Sequence, residues 1–360
     1  ARWLMAYLLD YHRREDKATW WEYFRLIELS ADELFEERTA VAGLEFVGNV
    51  GMLKKSPIHR YRYPSQEMEI NRGDELKLQD QKKFGDVHAV DRVNRTIDVV
   101  KGPSRAAQHP NEAFAHTYVN CEALEGALLR IGRAMVSASD DADELRQAYG
   151  AARSLLRGLP PNLTDGLFVA RDGEEPVAFA TRAGLSLSAS VLPIQGPPGA
   201  GKTYCGAHMI CELVRQGKRV GITANSHKVI RNLLNAVATQ ADKLGIDVKL
   251  AHKEGDEPSA DIGRITSIPK NPDVLQALVS GDANVVGGTA WLWSREEFAS
   301  SIDVLFVDEA GQMALANVIA VSQAANSVVL LGDPQQLEQP RKGTHPDGVG
   351  ISALEHILSG

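Results

Sequence analysis

The sequence predicts an α/β protein: a parallel sheet covered by helices, preceded by a helical stalk and a small β-barrel. Two textures predict it. Beyond residue 188, short runs that are apolar nearly throughout alternate with amphipathic stretches, the pattern of a parallel sheet buried on both faces. From Leu44 to about Tyr118 the chain instead shows many short runs parted by Pro57, Pro64, the Asn71 to Asp74 turn and Gly85, which suits a small barrel. At 360 residues the chain has room for two or three folded units.

Taken in order, residues 1–43 read as a helical lead-in, because Trp3, Leu4, Tyr7, Leu8 and Tyr11 recur at helical spacing and Trp20, Phe24 and Ile27 do so again. Residues 44–118 hold the barrel runs LEFVGNVGML, IHRYRY, ELKL, VHAVDRV and TIDVV. Residues 119–187 supply stalk helices and a linker: two helical segments part near SASDDAD, where Ser139 or Asp140 would cap, and a weakly patterned stretch follows Pro160 and Pro161. Residues 188–360 carry the strands VLPIQ (191–195), RVGITA (219–224), NVVGGT (284–289), DVLFVD (303–308) and SVVLLGD (327–333). Helices are expected between them at about 203–216, 226–241, 272–280 and 312–324.

Composition narrows the function. Hydrophobic residues at 44% and charged residues at 24% exclude a disordered, collagenous or low-complexity chain. With 39 Lys and Arg against 47 Asp and Glu the net charge is −8, so any contact with nucleic acid is local. Three cysteines, Cys121, Cys205 and Cys211, are too few for a disulfide framework, and a reducing, cytoplasmic setting is expected. No apolar run approaches a membrane span, and ARWLMAYLLDYHRRED puts charges where a signal peptide needs apolar residues, so no membrane partner is expected. Because Ala1 is no initiator and Gly360 follows an apolar helical pattern, the chain is expected to be an excerpt of a longer one.

Gly196 to Thr203 spells GPPGAGKT, which satisfies G-x-x-x-x-G-K-[ST] between an expected strand and an expected helix. Glycines let the backbone curl so that its N–H groups face an anion, and the helix N-terminus adds its dipole. The stretch Gly196, Pro197, Pro198, Gly199, Ala200, Gly201, Lys202, Thr203 and Tyr204 is therefore the expected phosphate site, with Lys202 on the β and γ phosphates and the Thr203 hydroxyl on Mg²⁺.

Two further strand ends carry polar groups. In DVLFVDEAGQ, Asp308 is placed to hold Mg²⁺ and Glu309 to orient and deprotonate water, although both would also serve as helix caps. In SVVLLGDPQQL, Asp333 and Gln336 follow a buried strand, at the edge where open sheets bind ligands.

GPPGAGKT, DEAGQ and GDPQQL, in this order, resemble motifs I, II and III of superfamily 1 helicases. GITANSHKVIRNLL resembles motif Ia, and NVVGGTAW the strand and turn before motif II. Helices and a small barrel before a first RecA-like domain resemble the 1B branch, and the chain's two ends resemble bacterial fusions of a RecB-like nuclease to a helicase. The resemblance implies a RecA-like P-loop NTPase domain over 188–360, ATP and Mg²⁺ as cofactors, and single-stranded DNA as partner, with RNA left open. It implies phosphate and Mg²⁺ contacts for Gly199, Gly201, Lys202 and Thr203, hydrolysis for Asp308 and Glu309, and coupling of the γ phosphate to movement for Asp333 and Gln336. Nucleic-acid contacts would fall on Ala224, Asn225, Ser226 and His227, and on Gly288 and Thr289. Ser226 would equally cap a helix. The family's adenine-reading glutamine is missing from PVAFATRAGLSLSAS, and the second RecA-like domain and a nuclease domain would lie elsewhere in the parent protein.

Lys54, Lys55, His59, Arg60, Tyr61, Arg62 and Tyr63 form a basic island in an acidic chain. Either Arg60 and Arg62 track a phosphate backbone while the tyrosines stack on bases, or the tyrosines pack inward beneath solvated arginines. Trp291 and Trp293 leave the same choice between stacking and core. The reading is thus an ATP-dependent DNA helicase or translocase fragment; the alternatives are an RNA helicase and a non-motor remodelling switch. A guanine-nucleotide switch is disfavoured by the lack of an N-K-x-D string.

Overall fold

The computed structural model describes residues 1–137, 143–166, 168–254, 263–336 and 341–359, with only the backbone of 143–148. Two compact units emerge: Glu15–Val119, and Ala1–Arg14 together with Asn120–Gly360. The expected cap at Ser139 or Asp140 lies outside the described residues.

The lead-in forms α1 (Arg2–Leu8), α2 (Tyr11–Glu28) and α3 (Ala31–Glu36). Ser30 and Glu33 start α3 with a reciprocal capping box, which satisfies two helix-end N–H groups at once. Helix does not continue to residue 43: β1 (Ala40–Ala42) pairs with Glu112–Ala115, and its three small or branched residues are all buried. A strand of three residues is too short to show a period of its own.

The Glu15–Val119 unit continues with β2 (Glu45–Leu53), β3 (Ser56–Arg62), β4 (Glu75–Lys77), β5 (Lys83–Asp91), β6 (Thr96–Val100) and β7 (Glu112–Ala115). Among the described residues these make one seven-stranded antiparallel sheet of order β1-β7-β4-β5-β6-β3-β2, with β1 and β2 at its two ends. Its core gathers Tyr61, Tyr63, Leu76, Phe84, Val87, Ile97 and Val99. Both tyrosines of the basic island therefore point inward, and no face of Tyr61 is left for a base.

In the other unit come α4 (Glu122–Ser137), α5 (Asp143–Leu156), α6 (Pro176–Ser186), β8 (Val191–Gln195), α7 (Lys202–Arg215), β9 (Val220–Thr223), α8 (His227–Leu244), β10 (Leu250–His252) and β11 (Ile265–Ser267). They are followed by α9 (Asn271–Ser280), β12 (Val285–Gly287), α10 (Ala290–Trp293), β13 (Ile302–Val307), α11 (Leu315–Ser322), β14 (Ala325–Gly332) and α12 (Ala353–Leu358). All ladders of this sheet are parallel, in the order β11-β10-β12-β9-β13-β14-β8.

Burial on both faces explains the continuous apolar runs. Along β13, Val304 and Phe306 join the cluster under α7 and α8, whereas Leu305 and Val307 join the one under α4 and α11. Along β14, Val329 and Leu331 take the first face and Val328 and Leu330 the second. Each such side chain contributes about 1.5–3 kcal/mol by leaving water. The weakly patterned stretch before β8 contains α6, and Pro176 in its first turn is the start signal that marks it. No helix among the described residues is long and apolar enough to cross a membrane.

Candidate nucleotide and nucleic-acid site

Parallel strands put their carboxyl ends on one edge, and the sheet order lines up the turns there. Thr289 follows β12, Asn225 follows β9, Asp308 follows β13, Asp333 follows β14, and the glycine loop follows β8 at the end of the row.

The loop curls where its glycines allow. Gly199 and Gly201 have φ of +79° and +86°, a region L side chains rarely adopt, and a Cβ on either would meet open space. Gly201 caps α7, while Gly196 N–H donates to the Gly332 carbonyl at 3.2 Å and so anchors the loop to β14. Lys202 arches back over the loop, its Nζ donating to the carbonyls of Gly196 (2.6 Å) and Pro197 (3.0 Å). Thr203 and Tyr204 are exposed in the first turn of α7, and Cys205 and Cys211 on the same helix are buried in the core.

Asp308 is 6% exposed, and burial pushes its carboxyl up to about 6; the charge of Glu309 adds to this, while the Glu309 N–H and Lys202 oppose it. Its N–H donates to the Thr223 carbonyl at 2.9 Å and its Oδ1 accepts from Glu309 N–H at 3.0 Å. Glu309 sits at φ +55°, left-handed backbone for a residue with a side chain, and its Oε2 is buried with no hydrogen-bond partner among the described residues. A carboxyl whose charge is disfavoured by burial and an orphaned carboxylate oxygen in the turn after β13 fit a hard divalent cation and a water.

The turns after β13 and β14 are in backbone contact. A Cβ on Gly311 would run into the Asp333 carbonyl, and one on Gly332 would stand 2.8 Å from Gly311 N. Asp333, 6% exposed, accepts Gln335 N–H on Oδ1 at 2.9 Å. Gln312 Nε2 donates to Gln336 Oε1 at 3.0 Å, and the Gln312 carbonyl accepts from Asn225 Nδ2 at 3.0 Å. Gln312 is a residue that sequence reasoning missed; its signal is an amide three positions after Glu309 in a polar turn.

Of the expected nucleic-acid contacts, Asn225 and His227 are exposed and Ala224 is buried. Ser226 caps α8 by accepting Val229 N–H at 3.3 Å. Gly288 is buried with its polar groups spent: its N–H donates to Ile222 O at 2.9 Å and its carbonyl accepts from Trp293 Nε1 at 3.1 Å. Trp293 is core, whereas Trp291 is 39% exposed and lines, with Thr289 and His227, a cavity of about 380 Å³. Arg60 and Arg62 belong to the Glu15–Val119 unit. There Arg60 grips Asp98 through two bonds of 2.7 and 2.8 Å, and Arg62 is exposed.

Residues 178–349 match the family model described as AAA domain. Two curated proteins are similar. The DNA replication ATP-dependent helicase/nuclease JHS1 of Arabidopsis thaliana is 28% identical over 172 residues, which are 46% of this chain and 12% of that protein. The DNA replication ATP-dependent helicase/nuclease DNA2 of Saccharomyces cerevisiae is 28% identical over 171 residues, 46% of this chain and 11% of that protein. The chain thus spans about a tenth of the curated relatives it matches. Among solved structures, the Arterivirus nonstructural protein 10 helicase shares 14% identity at a TM-score of 0.35, over 89% of this chain and 52% of that one. The UvsW helicase of bacteriophage T4 shares 12% at 0.32, over 58% and 70%. Glycine loop, acidic strand end and amide turn stand side by side on one sheet edge, and all three lie within residues 178–349, the stretch that matches the AAA domain model.

Proposed function

We propose that the chain is part of an ATP-dependent DNA helicase or translocase of the 1B branch, which couples ATP hydrolysis to movement on single-stranded DNA in the cytoplasm. Residues 188–360 would be its first RecA-like domain, 44–118 its barrel, 1–43 a helical lead-in and 119–187 stalk helices and linker. The parent protein would add a second RecA-like domain, which closes on the nucleotide, and a nuclease domain. The observation that carries this reading is the path Asn225, Gln312, Gln336, which joins a turn open to nucleic acid with an amide beside the phosphate loop.

In this reading the loop N–H groups and Lys202 hold the triphosphate, and Thr203 and Asp308 hold Mg²⁺. Bound there, ATP and Mg²⁺ supply the cleavable phosphoanhydride and a charge that offsets its oxygens. Glu309 orients a water and takes its proton, a task for which an unpartnered buried oxygen is suited. Gln336 reports loss of the γ phosphate to Gln312 and onward to Asn225. The names of the two curated relatives favour DNA over RNA.

The test is ATP hydrolysis by the parent protein with and without single-stranded DNA, with Lys202→Ala as the blank. Strong stimulation that vanishes in the variant is expected. Hydrolysis indifferent to DNA overturns the motor reading, and stimulation by RNA alone moves the substrate to RNA.

A further inference from the structure

Behind the turn after β9, side chains from three segments form a series that leads from the interior to the surface. Glu254, just past β10, is 4% exposed; its Oε1 pairs with the Arg231 guanidinium of α8 and its Oε2 accepts from Ser267 Oγ at 3.1 Å. His252 is 1% exposed; its Nδ1 stands 3.2 Å from Glu254 Oε1, within ion-pair distance but out of hydrogen-bond alignment, and its Nε2 lies 3.2 Å from His227 Nδ1. The exposed His227 ring ends the series in the cavity of about 380 Å³, which Lys253, Asn271, Thr289, Trp291 and Arg295 also line.

The protons in this series are ordered by what each atom can do. Glu254 pairs with the Arg231 guanidinium, and its Oε1 facing His252 Nδ1 favours the proton on that nitrogen electrostatically, which leaves a lone pair at Nε2. The proton between the rings then belongs to His227 Nδ1. Neutral His227 is left with a bare Nε2, the one atom of the series that can take up a further proton toward the cavity. Burial, reinforced by His227 itself, holds His252 down to about 4, so the added charge stays on the outer ring. Burial and Lys253 hold His227 below its ordinary value, with Glu254 pulling the other way. Among the described residues, Arg231, Arg295 and Glu122 are further charged groups around the series and its cavity.

We propose that Glu254 and His252 are positioning residues for His227, fixing its ring and tautomer so that Nε2, once protonated, donates to a backbone phosphate of a strand bound in this cavity. The proposal rests on the nucleic-acid reading above. A phosphate that draws a proton onto His227 is bound more tightly as pH falls, by at most about ten-fold per pH unit for one proton. Lys253 and Arg295 supply charge that does not vary over this range.

Nitrogen-15 NMR of the histidine rings in this chain, without nucleic acid, tests the ordering directly. Neutral His227 is expected to carry its proton on Nδ1 and to move it to Nε2 in His252→Phe, where the acceptor is gone. Finding Nε2–H in the unaltered chain overturns the proposal even if the variant fails to fold. Affinity for a fluorescent single-stranded oligonucleotide is the second readout, between about pH 7.5 and about 5.5. Binding that tightens as pH falls, and loses that slope in His227→Gln and in His252→Phe, supports the assignment; binding with the same slope in all three overturns it. Absence of binding at any pH overturns the nucleic-acid reading instead, and the ring tautomer separates that failure from this one.

Discussion

Gln312 Nε2 donates to Gln336 Oε1 at 3.0 Å, joining the turn after β13 to the turn after β14. The carbonyl of the same Gln312 holds Asn225, so one residue touches both the turn after β14 and the head of α8. In the proposed motor, a shift of Gln336 at a bound phosphate would pass through Gln312 to Asn225. Gln312→Ala is expected to cut nucleic-acid-stimulated hydrolysis in the parent protein by roughly ten-fold, a loss of about 1.4 kcal/mol in barrier lowering. Affinity for a fluorescent nucleotide should change little, because the loop and Lys202 are untouched. Full stimulation in the variant removes Gln312 from the coupling path.

The contact beneath that bond is between backbones. A methyl group on Gly311 has no room against the Asp333 carbonyl and must push the two turns apart. Gly311→Ala is expected to cost about 1–3 kcal/mol, the usual range for an overpacked site. Thermal melting should fall by several degrees, and hydrolysis with it. An unchanged melting curve would show that the turns yield without cost.

Asp308 links the site to pH. Its folded-state value, about 6, is above the ordinary 3.8, so the folded state holds the proton longer than the unfolded one. Below about pH 4 both states are protonated and nothing is lost; between about pH 4 and 6 stability declines, and above 6 the full cost of a buried charge is present. Asp308→Asn is expected to melt higher than the unaltered chain at neutral pH, by an amount on the order of 2–3 kcal/mol, with the gap closing near pH 4. Mg²⁺ with nucleotide should stabilise the unaltered chain and not the variant. A gap that is constant from pH 4 to pH 7 contradicts this account.

Arg60 and Arg62 separate two roles that look alike in the string RYR. Arg60 neutralises Asp98, which is 7% exposed, so Arg60→Ala leaves a buried carboxylate unpaired and is expected to destabilise the Glu15–Val119 unit by about 1–3 kcal/mol. Arg62 is exposed, and Arg62→Ala is expected to leave melting unchanged while reducing the salt slope of oligonucleotide binding by about one. If Arg62→Ala alters neither, this sheet does not follow a phosphate backbone.

Legibility tracked the range of the interactions involved. Strands 191–195, 303–308 and 327–333 and helices 203–216 and 272–280 were readable to within two residues of their observed ends, because each advertises itself by a local period and a glycine or polar stop. Strands β10 and β11 were not: each is three residues long, as β12 is, but neither sits in an apolar run ended by glycines like NVVGGT, and their place is decided by neighbours in the sheet.

GPPGAGKT was readable for the same local reason: a loop built on two glycines with positive φ needs those glycines wherever the chain goes. By itself the sequence determined the alternation of buried strand and amphipathic helix, the glycine loop and the acids and amides that end the strands, since these are demanded by backbone sterics and by burial within a few residues. Only the tertiary structure decided that Gln312 meets Gln336, that Arg60 is spent on Asp98, that Tyr61 is inside, and that His252 stands between His227 and Glu254. The partners in these contacts come from strands and turns that lie apart in the sequence, and only sheet order and side-chain packing bring them within 3 or 4 Å.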